Sequence, residues 1–242
     1  MTLESIFKLQ QAPVSFIPHA AVQREIILSE ALSKSSEQDE QIQRTGSRLA
    51  DSVTRWTLPL YLRTNVKIQS QWPGLYQCES KDDGSQPTSD KWTWAYWMLH
   101  RHPEVERVAM VDAATVTLNQ NPFPEMDADC LYVADELNEL EDLQLLTQTI
   151  PEVNSFIVHN SRLQTLNPAV IAGERGIVLE LLSGLITLKR TMTADQINNL
   201  TDLSLFNYVL YRYFTQRLGH GRLVTSIMSF NQHETNAWFK LQ

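Results

Sequence analysis

No stretch of this sequence is long and apolar enough to cross a bilayer. The roughly 18 consecutive apolar residues a spanning helix requires do not occur. Cysteine is nearly missing: Cys78 and Cys130 stand alone and far apart. They form neither a disulfide framework nor a close-spaced metal motif, and read as two reduced thiols in a cytosolic protein. The first residues, MTLESIFKLQQAPVSF, lack a basic start followed by a long apolar core, so no secretory signal is expected and a cytoplasmic location is. Basic excess is missing too. A net charge of -8 and a pI of about 5.2 argue against nucleic acid or an anionic membrane surface as the main partner. No internal repeat is present. There is no P-loop, no G-x-G-x-x-G, no G-x-S-x-G and no Cys/His group at zinc spacing, so the chemistries those motifs carry have no support here.

What is present is enough chain for one α/β domain. The 242 residues are 43% hydrophobic, with a mean hydropathy of -0.27, ordinary for a globular chain. Gln11 to Pro18 reads as a short strand closed by proline. Ala20 to Lys34 reads as a helix, with Val22, Ile26 and Ile27 at helical spacing. Ser35 to Arg48 is polar and reads as a loop or frayed helix. Leu58 to Ile68 alternates as a strand containing a turn. Residues 79–90, rich in Gly, Pro, Ser and Asp, read as a flexible loop. Ser89 can cap the helix that follows, KWTWAYWMLHRHP. On it Trp94, Trp97, Met98 and Arg101 share a face, as a core stripe or as a sugar-stacking surface. Arg107 to Val111 is apolar as a central parallel strand should be. Asp129 to Glu136, Ser155 to Asn160 and Pro168 to Gly173 read as further strands. Amphipathic helices follow Gly173 and start near Thr201 or Asp202. The order of elements predicts one α/β domain over residues 1–242, with a mixed, mostly parallel sheet flanked by helices.

Asp112 ends the strand RVAMV. In open α/β sheets ligands lie outside the carboxyl ends of the strands, so an aspartate there can hold a divalent cation or a ribose hydroxyl. It can equally be a turn aspartate bonding its own backbone.

The wider pattern around it, VDAATVTLNQNPFPEMDADCLYVADE, resembles glycosyltransferase-like proteins of bacteria and plants with the nucleotide-diphospho-sugar transferase (GT-A) fold. In those a strand leads into a D-x-x-D-V turn, a strand, N-P-F, and a strand ending in acidic residues. Asp112, Val116, Asn121, Pro122 and Phe123 occupy those places. YWMLHRHPEVERVAMVD resembles the family's helix, H-P turn and strand. LNPAVIAGERGIVLELL is similar to its L-N-A-G-x-x-G-G element, TDLSLFNYVLYRYFTQRLGHG to a D-M-x-x-x-N helix ending at an H-G pair, and HETNAWFKLQ to a closing segment that ends in a metal-binding histidine. The resemblance covers roughly residues 91–242, and residues 1–90 match poorly.

The resemblance implies a single GT-A-like (Rossmann-like) domain that moves a sugar from a nucleotide-diphosphate donor to a saccharide acceptor, as in polysaccharide biosynthesis. It implies a nucleotide sugar at Asp112, Asn167, Asn207, His220 and Gly221, a manganese or magnesium ion at Asp112, and Asp202 as the catalytic base. A divalent ion held by carboxylates would stabilise the leaving diphosphate. The chain departs from the pattern at four places. Thr115 stands for a second aspartate, Leu241 for the terminal histidine, and Ala169 and Ala172 for two glycines. Either the metal site is gone, with cationic side chains stabilising the diphosphate, or Asp135 or Glu136 substitutes. A catalytically degenerate binding or scaffold subunit is the alternative, and a third reading is an α/β pocket for another small ligand. Each candidate also has an ordinary role. Asp202 can be a helix cap, Asn207 can bond a loop, and Asn167 can sit in a turn. His220 and Gly221 can end a helix, and His159 can be a core or loop histidine.

Overall fold

The computed structural model describes residues 23–79, 91–143, 150–193, 202–226 and 236–241. The strand expected over Gln11 to Pro18, the loop beyond Glu79, and the caps at Ser89 and Thr201 lie outside them.

The core is a seven-stranded sheet. In chain order its strands are β1 (Glu25–Ala31), β2 (Leu60–Thr64), β3 (Leu75–Glu79), β4 (Arg107–Asp112), β6 (Leu131–Glu139), β7 (Gln164–Glu174) and β8 (Leu218–Gly219). Their spatial order is β3-β2-β1-β4-β7-β6-β8. Every neighbouring pair is parallel except the two made by β7, which runs antiparallel to both β4 and β6. A separate three-stranded sheet joins β5 (Val116–Leu118), β9 (Thr225–Ser226) and β10 (Phe239–Leu241) in the order β5-β10-β9. The expected mixed, mostly parallel α/β sheet is what forms.

The two faces of the large sheet bury two separate cores. On one face lie α2 (Lys91–Arg101), α3 (Pro151–His159), α4 (Arg175–Arg190) and α5 (Asp202–Tyr213), which pack Trp92, Ile157, Leu181 and Phe206 against Leu28, Tyr61 and Val133. On the other lie α1 (Ser36–Thr54) and the small sheet, which pack Leu49, Val53, Val116 and Phe239 against Ile27, Leu62 and Ala109.

This layering corrects the reading of residues 20–34. Glu25 to Ala31 is the strand between β2 and β4, not part of a helix. Ile26 and Leu28 point into one core and Ile27 into the other. A strand buried on both faces reads as a short continuous apolar run, and periodicity alone does not separate that from a buried helix. The polar segment after it is instead a full helix, α1, with Glu37 and Asp39 in its first turn, where acidic side chains complement the helix dipole. Only one stripe of α1 meets the core, which is why the segment looks like a loop. Gly46 sits on that stripe, where an added Cβ would come within 2.9 Å of Ile68 Cδ1.

Residues 155–160 are corrected in the opposite sense. They belong to α3, which begins with Pro151 at its first turn and buries Val153 and Ile157 one turn apart. β3, β8, β9 and β10 were not anticipated. The remaining elements lie close to their expected places, with β6 and β7 longer than the sequence suggests.

Three outcomes follow. Ile27→Ala, at 1% exposure in a central strand, should lower unfolding free energy by about 2–5 kcal/mol in denaturant titration. Val158→Ala, 62% exposed on α3, should stay within about 0.5 kcal/mol of the parent. Burial pushes the Cys78 thiol up to about 12 and raises that of Cys130 too, but Cys130 is partly exposed whereas Cys78 is buried. A thiol reagent at neutral pH should therefore titrate one cysteine in the native protein and the second only after unfolding.

Candidate functional site

The strand order reverses between β1 and β4. From β1 the chain adds β2 and β3 on one side, and β4 opens the other. At such a switch point the connections diverge and leave a crevice beyond the carboxyl ends of the strands. A cleft of about 160 Å³ lies there, lined by Ser29 and Glu30 of β1, Asp112 of β4, Lys91 and Trp94 of α2, and Pro168 of β7 among others.

Register explains its chemistry. In β1 Glu30 lies opposite Arg63 of β2 on one side and Asp112 of β4 on the other. Parallel partners in register share a face, so the row Arg63–Glu30–Asp112 points to the α2 side of the sheet. Arg63 is 2% exposed and donates through Nη1 to Glu30 Oε2 at 2.6 Å, and its guanidinium lies 5.8 Å from the Trp94 ring centroid. A buried guanidinium needs such a partner, and in return it fixes the carboxylate at the cleft. Trp92 is fully buried beneath two ammonium groups, Lys189 Nζ at 4.9 Å and Lys91 Nζ at 6.0 Å from its ring centroid.

Asp112 takes the turn role and also lies at the cleft. Its Oδ1 accepts hydrogen bonds from Ala114 N–H at 2.7 Å and Thr115 N–H at 3.2 Å. It is therefore a turn aspartate that also lines the cleft. Trp94 likewise belongs both to the core and to the cleft wall, so the core and ligand-facing readings of its stripe meet in one residue.

The other candidates are distributed along the same edge. Asn167 sits in a turn of its own making: its Oδ1 accepts from Ala169 N–H at 2.8 Å, while its amide nitrogen donates to Glu136 Oε1 at 2.7 Å. Asn207, expected at the donor, is instead fully buried. Its side chain takes the Leu166 N–H at 2.8 Å and donates to the carbonyls of Leu166 and Leu203. It fastens β7 to α5 and cannot face a ligand. His220 and Gly221 follow β8, not a helix end, which corrects the helix-cap reading. Gly221 takes a left-handed φ of 94°, at which a side chain would be strained. His220 Nδ1 lies 3.1 Å from Asp135 Oδ2. Asp135 is 2% exposed and also accepts from Thr225 Oγ at 3.4 Å. A buried carboxylate on Nδ1 orients the imidazole and leaves Nε2 to meet a ligand. Burial, and next the Asp135 charge, push the nearby Tyr211 hydroxyl up to about 12. Asp202 is the first residue of α5, and its Oδ1 accepts from Lys189 Nζ at 2.9 Å. His159 is exposed at the end of α3.

The positions at which the resemblance implies further metal ligands beside Asp112 carry none. Asp112 has no second carboxylate at Thr115. The strand register sets Leu241 opposite Val116, next to Thr115, so both expected ligand positions meet in space with ligand-poor side chains. Among the described residues no group of three or more His, Cys, Asp or Glu side chains could hold a metal ion. Asp135 and Glu136 are engaged with His220 and Asn167.

Sequence reasoning missed Glu30 and Arg63. The signal for Glu30 was available: EIILSE is an apolar β-branched run ended by a carboxylate, as RVAMVD is. Arg63 carries no sequence signal, since only the fold reveals its burial.

Removing the Asn207 side chain should leave the Leu166 and Leu203 backbone groups unpaired. Asn207→Ala should then cost at least about 2 kcal/mol in denaturant unfolding, whereas Asp202→Ala, breaking a partly exposed pair, should cost less than about 1 kcal/mol.

No protein-family model matches this sequence, and no curated protein matches it at significant similarity.

Proposed function

We propose that the cleft between the ends of β1 and β4 receives a nucleotide-diphosphate sugar, and that the chain is a glycosyltransferase of the GT-A kind acting on a saccharide acceptor without a resident divalent ion. The observation that carries this reading is the position of the cleft at the reversal of strand order, with Glu30 and Asp112 in register at its floor. Carboxylates there suit the hydroxyls of a ribose or a donor sugar, and Trp94 offers an aromatic face. Lys91, and His220 held by Asp135, are the cationic or protonatable groups at this edge suited to the charge that develops on a leaving diphosphate. Asp202, bound to Lys189, is the candidate base for the acceptor hydroxyl.

A second reading has a specific observation in its favour. Asp112 already uses one oxygen to hold its own turn, and Thr115 and Leu241 replace the expected ligands beside it. A binding or scaffold subunit would need nothing more.

A panel of nucleoside diphosphates tests the site. Uridine or guanosine diphosphate at about 100 times Kd should stabilise the chain by about 2.7 kcal/mol, a rise in Tm of about 5–10 °C for a domain of this size. The rise should be the same in chelator as with manganese, and should vanish in Asp112→Ala. No shift with any nucleoside diphosphate would overturn the reading. Binding without donor hydrolysis or transfer would leave the subunit reading in its place.

A further inference from the structure

The opposite face of the molecule carries a second cleft that the donor site does not use. It has a volume of about 460 Å³ and lies between α1 and the small sheet. Arg44, Arg48 and Arg55 line it at spacings that share one face of α1, and Lys240 of β10 closes the far wall. Asp51 is the one carboxylate among the lining residues, which makes four cationic groups against one anionic. That local excess stands out in a chain of net charge -8. Arg44 and Arg48 are four residues apart, a separation at which like charges on a helix repel. Arg44, Asp51 and Arg55 are all exposed, and neither Arg44 nor Arg55 forms an ion pair among the described residues. Arg48, in contrast, is held in place, with Nη2 donating to the Ala114 carbonyl at 2.7 Å. Asn119 contributes an amide to the wall.

We infer that this cleft is a binding site for a soluble phosphoryl anion, a phosphate or diphosphate group on a small molecule. Guanidinium groups present paired donors that match phosphate oxygens, and one of the three is already positioned. The concave shape, within the size range of small-molecule pockets, suits a compact ligand better than a flat macromolecular surface. The site is independent of the nucleotide-sugar reading, because it lies across the sheet and shares no lining residue with the first cleft.

Inorganic pyrophosphate is the probe, titrated calorimetrically at matched ionic strength into the parent chain, Arg44→Ala/Arg55→Ala, Arg44→Lys/Arg55→Lys and Lys91→Ala. The two arginines are exposed, so the fold should survive, and an unchanged Tm without ligand checks this. The alanine pair should weaken one binding event by roughly tenfold or more. The lysine pair should fall between it and the parent, and Lys91→Ala should leave that event unchanged. Equal affinity in the parent and the alanine pair, or loss of all binding in Lys91→Ala alone, would overturn the assignment. Vesicles of phosphatidylcholine with and without phosphatidylglycerol separate a lipid headgroup from a free anion. Arginine-dependent binding to the anionic vesicles with none to pyrophosphate would also overturn it.

Discussion

Because β1 and β4 run parallel with Glu30 opposite Asp112, two strands deliver carboxylates to one edge and one face of the sheet. Nothing else in the cleft would hold its place without that register. A shift of β1 by one residue would turn Glu30 toward the opposite core, where Ile27 now lies, and away from Asp112. Apolar side chains on both faces of β1 forbid such a shift, since Ile26 and Leu28 must meet one core and Ile27 the other. Arg63 completes the row. Its guanidinium is buried and needs carboxylate partners such as Glu30, and the pair therefore ties the cleft floor to the sheet itself.

The same strands show what the sequence could and could not tell. RVAMVD was legible as a buried strand ending at a carboxylate, because the flanking helix and proline bracketed it. EIILSE has the same form, but the apolar residues before it continue a helical spacing, and the competing period won. Asp112 was legible as a choice between turn and ligand. The structure makes it a turn aspartate whose side chain also lines the cleft, an outcome that strand position alone does not suggest. Asn207 looked like a site residue because it lies one turn and a half into an amphipathic helix. Only the path of β7 shows that its amide meets the Leu166 backbone. Arg63 and the Arg44–Arg55 face could not be read at all as sites. Burial of one and clustering of the others against Lys240, nearly 200 positions away in the chain, exist only after the layers assemble.

The turn after Asp112 connects the two clefts physically. Ala114 donates its N–H to Asp112 on the sheet-edge side, and its carbonyl accepts from Arg48 on the α1 side. The two peptide groups that flank the Ala114 Cα are thus held, one by Asp112 and the other by Arg48. A ligand that repositions Arg48 acts on the same three-residue turn that orients Asp112, so any difference in affinity that one cleft imposes on the other is reciprocal.

Charge balance separates the two clefts. The cleft at the sheet edge sets Glu30 and Asp112 against Lys91 in its lining, with Arg63 paired to Glu30 behind it, so no cationic excess lies there. A cleft without that excess does not concentrate an anion through its field. Recognition of a nucleotide sugar at that place would rest on hydroxyl groups meeting carboxylates and on aromatic contact, with the diphosphate met by Lys91 and by the His220 imidazole that Asp135 holds. A divalent ion would change this balance, but Thr115 and Leu241 stand where its ligands belong. The α1 cleft has the opposite character, four cations to one carboxylate, and there attraction for phosphate comes before any fit. Of the two clefts, the one with the cationic lining is therefore not the one at the sheet edge. That separation is the physical reason to treat the two clefts as distinct sites.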